Sequence, residues 1–399
     1  MHYPAPLAAP ADGRRLTPPH PSRDGRRRRP PHPPRALHLR QEQLIHRPLR
    51  RRLPLAAAAA CAALAATACN DTDTSAQDKS PAPSASTEKQ LELPPALTKQ
   101  QALAEIERYS TTNNRANSSR DRALLDTVED GPLYAMSVSA YKETEGLTKS
   151  ERKPYKPWAY NTQNAELYIP RIAPGKPRWF AAALSDTKGK SPNRLAVFAE
   201  QPKYKRWEMV SVVDLYGKTL PKVALDADGY ATAVAANGNQ DLAAGADLLR
   251  SGVLDNFATG GTRSGKKIFA PSKARAQQIK VHDETTVQYG DKGTSVFTGA
   301  ANRYKDAYAL KTTGGALILF AHTHTQTDAV AHPGLQINPG KEDNAWLHGI
   351  PRTSIRYTFV CANAVTVPAK AAPSRLVGYT CARTDASGPP VGSAPTDRA

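Results

Sequence analysis

The chain of 399 residues has no GxSxG, HExxH or CxxC, the short motifs of serine hydrolases, zinc peptidases and thiol redox sites. SxxK occurs at residues 139–142 and 264–267, but without the SDN and KTG that accompany it in penicillin-binding enzymes. Gly260-Gly261-Thr262-Arg263-Ser264-Gly265-Lys266-Lys267 nearly spells a P-loop, yet Lys267 stands where Ser or Thr must hold Mg2+. It also follows a helical pattern rather than a strand, so a flexible basic loop is expected. Asp226-Ala227-Asp228-Gly229 lacks both ends of a calcium loop, having Ala224 at the first ligand position and Ala235 at the twelfth. It reads as a β-turn. No cofactor is expected from any of these stretches. The apolar run at residues 53–68 has sixteen residues, mostly Ala, where a membrane helix needs about 20.

Acidic residues are scarce at the start. Residues 1–68 carry thirteen Arg and no Lys against Asp12, Asp24 and Glu42, which leaves +8 of the net +18 for the remainder. The basic character mostly reflects this leader, so no nucleic-acid partner is expected. Twelve of the 34 Pro lie in residues 1–54. Residues 1–43 have no apolar period and cannot offset the entropy of ordering. Residues 1–52 therefore read as a disordered basic arm or as a start assigned too early. The second reading fits the basic patch at residues 47–52, because signal peptides begin shortly before such a patch.

What is present is a secretory pattern: Arg50-Arg51-Arg52, the short apolar run, small residues, then polar Asn70-Asp71-Thr72-Asp73. Leu64-Ala65-Ala66-Thr67-Ala68-Cys69 resembles a bacterial lipobox, with Ala66 where that family prefers Leu. The resemblance implies that Cys69 receives a diacylglycerol and becomes the amino terminus after cleavage. Ala- and Arg-rich leaders of this kind resemble those of high-GC Gram-positive bacteria, which implies a lipid anchor on the outer face of the cytoplasmic membrane. A cell-wall polymer or an envelope protein is the partner such a location offers.

Cleavage would remove Cys61 and the lipid would use Cys69. Cys361 and Cys381 would remain, an even pair in an oxidising compartment. They lie in two β-rich runs that fold as a hairpin about residue 371, which sets them opposite each other. A disulfide there would contribute roughly 3 kcal/mol in the chain-entropy picture.

Residues 70–96 form a Ser/Pro/Thr/Asp tether, and residues 385–399 a similar tail. Between them, Thr98-Lys99-Gln100-Gln101 predicts a capping box that opens a helix to Asn117. A second helix is expected at residues 120–129, stopped by Gly131-Pro132. Strands follow at 179–184, 195–200 and 206–215. The order then repeats: helices at 247–258 and 272–283, strands at 308–312 and 316–326, and the Cys hairpin. This order resembles the cone-shaped α+β fold of the nuclear-transport-factor-2-like superfamily. It implies one or two tandem domains, 97–218 and 219–384, each with N-terminal helices packed on a bent antiparallel sheet. NRANSSRDRALLDTVEDGPL and RWEMVSVVDL resemble lipoproteins of actinobacteria.

His322 and His324 alternate with Thr on a predicted strand and share one face, as metal ligands would. His332 and His348 follow. The ordinary reading is a solvated strand face, so no metal is expected. Arg152, Lys153 and Lys156 lie beside Tyr155 and Trp158, and Lys203, Lys205 and Arg206 beside Tyr204 and Trp207. Both stretches suit polyanions such as lipid headgroups or wall polymers. Tyr134, Tyr141, Asp186 and Asp214 are acid–base candidates for a pocket, and none is singled out as catalytic. The expectation is a non-enzymatic envelope protein that binds a ligand or partner. The alternative is a cone-fold enzyme acting on a small apolar molecule.

Overall fold

Helix α1, Lys99–Ser119, begins with the reciprocal cap expected of Thr98: its hydroxyl accepts from the Gln101 amide at 3.2 Å, and the Gln101 side chain accepts from the Thr98 amide at 2.8 Å. Its buried stripe, Ala102, Ile106, Tyr109, Asn113 and Ala116, steps by three or four residues. The helix ends at Arg120, which adopts the left-handed conformation at φ 56°. The structure is a computed structural model that describes residues 16–17, 93–186, 189, 191–217 and 222–392. The leader, Cys69 and most of the tether lie outside the described residues. The described residues from 93 to 392 belong to one compact unit. Among the described residues no helix is long and apolar enough to cross a membrane.

The second expected helix shrinks to one turn, Arg122–Leu125, capped by Asp121. Gly131-Pro132 does not stop a helix but starts one, α2, Gly131–Gly146. Gly131 turns the chain at φ +59°, and Pro132 sits in the first turn, where its missing N–H costs nothing.

The fold is α+β, and among the described residues its two large sheets are antiparallel. The first has the order β1 (Glu166–Tyr168), β2 (Trp179–Leu184), β3 (Arg194–Gln201), β4 (Arg206–Asp214). Helices α3 (Ala246–Thr259) and α4 (Lys273–Thr286) come next. The second sheet comprises β5 (Gly293–Gly299), β6 (Ala307–Thr312), β7 (Gly315–Val330), β8 (Ser354–Pro368) and β9 (Arg375–Ser387). Long β7 pairs with β8 along one edge. Its other edge is shared: β6 covers residues 315–320 and β5 covers 324–330.

Alternation along β7 buries both faces of the second sheet. Leu317 and Leu319 join a cluster with Phe180 and Phe198 of the first sheet, while Ala316, Ile318 and Phe320 join Phe257 and Phe269. The two sheets therefore share one core, and α3 and α4 contribute to the other. A close approach ties the sheets together: the Tyr216 amide donates to the Val377 carbonyl at 3.1 Å. Beside it a Cβ on Gly378 would lie 2.3 Å from the Asp214 carbonyl oxygen, so only glycine fits. The boundary expected at residue 218 falls on residues outside the description. Ala96, expected in the tether, is buried, and β9 runs to Ser387, past the expected start of the tail.

Candidate functional site

A cleft of about 950 Å³ opens between the two sheets. Its floor is apolar: Trp179 at the start of β2, Tyr308 on β6, and Leu319 and Phe320 on β7. The Trp179 and Tyr308 rings lie 5.1 Å apart, tilted by 57°. Arg171, Lys176, Arg178, Arg303 and Lys305 line its walls, against Asp130, Glu200 and Asp306. Two of these cations are committed. Arg171 holds Asp226 and Asp228, both at 2.6 Å, and Arg178 grips Glu200 at 2.9 Å and lies over the Trp207 ring. Lys176, Arg303 and Lys305 are exposed.

The wall that carries Arg303 and Lys305 is fixed by one buried side chain. Where neither β5 nor β6 covers β7, the Ala321 carbonyl would lack a ladder partner. Arg250 of α3 donates to it at 3.0 Å, and also to the carbonyls of Lys305 at 2.8 Å and Asp306 at 3.1 Å. Asp247 balances its charge at 2.6 Å. Sequence reading misses this cleft, whose lining comes from many separate segments. Yet Arg303-Tyr304-Lys305 mixes cations and aromatics as the two noted stretches do, and that signal could have found it.

The far face of the second sheet holds a dry polar cluster. Cys361 and Cys381 face each other across β8 and β9 and are disulfide-bonded. His322 and His324 are not on a solvated face: each is 1% exposed. The correction follows from topology, because β7 is an interior strand covered on both faces. His322 Nε2 lies 3.2 Å from His324 Nδ1, and His324 Nδ1 lies 3.8 Å from Cys361 Sγ. Asn363 Nδ2 approaches His322 Nδ1 at 2.8 Å. Phe257 stacks on His324 at 4.5 Å and Phe359 at 5.1 Å. Burial drives the His324 imidazole down to about 3, and burial with the neighbouring His324 and Arg250 holds His322 well below the ordinary range. Both are neutral at pH 7. His332 and His348 are exposed and stay outside the cluster.

The profile of the DUF8094 family, a domain of unknown function, matches residues 93–388. The chain belongs to this family. It is similar to an uncharacterised lipoprotein of Streptomyces coelicolor, 69% identical over 300 residues that cover 75% of this chain and 84% of the relative. A second uncharacterised lipoprotein of the same organism is 25% identical over 279 residues, covering 70% of this chain and 82% of that protein. No solved structure matches.

Within this DUF8094 domain a third polar group is buried beneath α1. Glu129 accepts from the Tyr109 hydroxyl and from Asn113 Nδ2, both at 2.8 Å. Burial pushes its carboxyl up to about 7 against the opposing hydrogen bonds. Neither Glu129 nor the His pair lines the cleft. Of the acid–base candidates, Tyr141 is buried and donates to Asn117 at 2.6 Å, Tyr134 is half-buried on α2, Asp214 pairs with Arg194 at 2.9 Å, and Asp186 is exposed on a turn.

The two basic stretches lie on separate elements. Arg152 donates to the carbonyls of Leu147 and Glu145 at the end of α2, leaving Lys153 and Lys156 exposed. Lys203 and Lys205 are exposed at the β3–β4 turn, whereas Arg206 is bound to Glu208. Trp158 and Trp207 pack against the first core cluster or within it. Asp226 and Asp228 form the expected turn, their carboxylates held by Arg171. The P-loop-like stretch is pinned rather than loose. Asp255 Oδ2 accepts the amides of Arg263, Ser264 and Gly265 at 3.1, 2.9 and 2.8 Å, so a side chain of the domain itself occupies the donors a phosphate would need.

Proposed function

We propose that this chain is a lipoprotein anchored through Cys69 on the outer face of the cytoplasmic membrane, and that it binds a small anionic molecule with an apolar body in the cleft between the sheets. The single observation that carries the ligand class is the pairing of an aromatic floor, Trp179 and Tyr308, with the exposed cations Lys176, Arg303 and Lys305. The volume falls within the range of small-molecule sites, and a few polar groups over an apolar base give such sites their orientation. The lipidated location rests on the Cys69 motif and on the names of the Streptomyces relatives. The order helix, helix, strands, twice over, supports reading the fold as two cone-like halves. Lys153, Lys156, Lys203 and Lys205 would add a weak attraction to anionic headgroups.

Anilinonaphthalene sulfonate, an anionic aromatic probe, tests the ligand class. It should bind once per chain and be displaced by a long-chain carboxylate but not by the matching alcohol. The combined substitution Lys176→Glu, Arg303→Glu and Lys305→Glu should weaken it at least about tenfold; equal affinity would overturn the assignment. The intact mass of membrane-extracted protein tests the anchor, which a soluble product with an unmodified Cys69 would refute.

A further inference from the structure

The buried cluster on the far face of the second sheet lies on three adjacent strands. The register sets His322 opposite Cys361, and Cys361 opposite Cys381. His324, two residues along β7, points to the same face. One ring nitrogen from each of His322 and His324 and the Cys361 Sγ lie within 4.8 Å of one another. A tetrahedral zinc ion, with Zn–N of about 2.0–2.1 Å and Zn–S of about 2.3 Å, spaces its nitrogens by about 3.3 Å and its nitrogen–sulfur pairs by about 3.5 Å. The distances here are 3.2 Å and 3.8 Å, close to those edges.

One buried atom has no partner in its present orientation. Asn363 Nδ2 lies against His322 Nδ1, while Asn363 Oδ1 is buried without a hydrogen bond. A flip of this amide would bring Oδ1 to a protonated Nδ1 and leave the Nε2 lone pair free, the orienting role that outer groups play around metal-bound histidines. The flip gives up only a 3.4 Å contact from Nδ2 to the Phe320 carbonyl.

We propose that reduction of the Cys361–Cys381 disulfide creates a tetrahedral His2Cys2 site for a borderline-soft transition-metal ion such as Zn2+, held by His322, His324, Cys361 and Cys381. A dithiol reductant supplies two electrons and two protons. The S–S bond becomes two thiols, and the dithiol leaves as its own disulfide. Zn2+ then displaces both thiol protons to solvent. The two thiolates balance the charge of the ion in a pocket that already contains the Arg250 cation nearby. Cys381 is 6% exposed and lies on a strand at the sheet's edge, which gives the reductant its way in. While the disulfide is intact its sulfurs are poor ligands and the site is closed. The fold thus holds either a covalent cross-link or a metal at one place, according to the redox poise around it.

The test uses the full chain carrying Cys61→Ser and Cys69→Ser, so that Cys361 and Cys381 supply the only thiols. It is reduced under argon with a water-soluble phosphine and titrated with Co2+, then Zn2+. One equivalent of Co2+ should give tetrahedral d–d bands and thiolate-to-cobalt charge transfer, both abolished by Zn2+ and both absent from the oxidised protein. His324→Gln should eliminate the tetrahedral spectrum. Asn363→Leu should weaken binding by about 10–100-fold. His348→Ala, at an exposed position, should change nothing. An octahedral spectrum, or a tetrahedral one untouched by His324→Gln, overturns the proposal. Should His324→Gln fail to fold, the parent protein decides: one equivalent of Zn2+ must protect both thiols from iodoacetamide, and equal labelling with and without zinc overturns it.

Discussion

The two halves of the molecule each bury titratable groups beneath their helices, and they do so with opposite chemistry. Under α1 lies a carboxyl, Glu129, among Tyr109 and Asn113. Under α3 lie two imidazoles, His322 and His324, against Phe257. Burial penalises whichever form is charged, so it raises the acid and lowers the bases. The first half is therefore strained at high pH and the second at low pH.

The largest expected effect comes from the imidazoles. The folded state holds His324 near 3 while the unfolded chain returns it to about 6.5, so the unfolded state takes up more protons between those values. The stability it contributes is fully present above pH 6.5 and is lost as the pH falls, by roughly 4–5 kcal/mol toward pH 3. Denaturant unfolding at a series of pH values should show this acid limb, and His324→Phe should remove at least half of it. An unchanged limb would break the comparison on the α3 side.

Glu129 works the other way. Its folded value of about 7 exceeds the ordinary 4.5, so the folded state holds the extra proton between them. Stability is greatest below pH 4.5 from this group and declines by roughly 3 kcal/mol as the pH rises past 7. Glu129→Gln keeps the acceptor for Tyr109 and Asn113 without the charge. It should match the wild type near pH 4.5 and exceed it at pH 8, measured by the same titration.

Arg250 belongs to the α3 half but shapes the cleft between the sheets. Arg250→Met would leave the carbonyls of Lys305 and Asp306 without this donor and that of Ala321 with only a 3.5 Å contact from Asn302 Nδ2, at a cost of roughly 2–3 kcal/mol. It should also weaken probe binding in the cleft, whereas Glu129→Gln should not. The smallest effect on stability belongs to Arg303→Glu with Lys305→Glu. Both side chains are exposed, and thermal unfolding should move by less than about 0.5 kcal/mol while probe affinity falls.

Where local chemistry decides, sequence reading succeeds. Thr98 and Gln101 cap α1 from four residues of sequence, and the alternation around Cys361 and Cys381 places the hairpin and its cross-link. Gly131-Pro132 misleads because the same dipeptide can end one helix or open the next, and only the packing of Leu133 and Met136 selects the second. Strand β5, GTSVFTG, buries Gly293, Ser295 and Phe297 on its inner side, too small an apolar signal to stand out. The histidines show the same limit. Thr and His in alternation suggest a wet surface, and only the packing of Phe257 from α3 over that face of β7 reveals that they are dry. The cleft needs long-range assembly, since Trp179 and Tyr308 meet across two sheets.

Asp255 has a further consequence. By turning its own carboxylate into the loop at residues 260–267, the chain satisfies three backbone donors from the inside. Asp255→Ala would free these three amides beside Arg263, Lys266 and Lys267. Inorganic phosphate should then raise the melting temperature of the variant and leave the parent unmoved. Three backbone donors of that loop are thus kept from solvent anions by a single side chain.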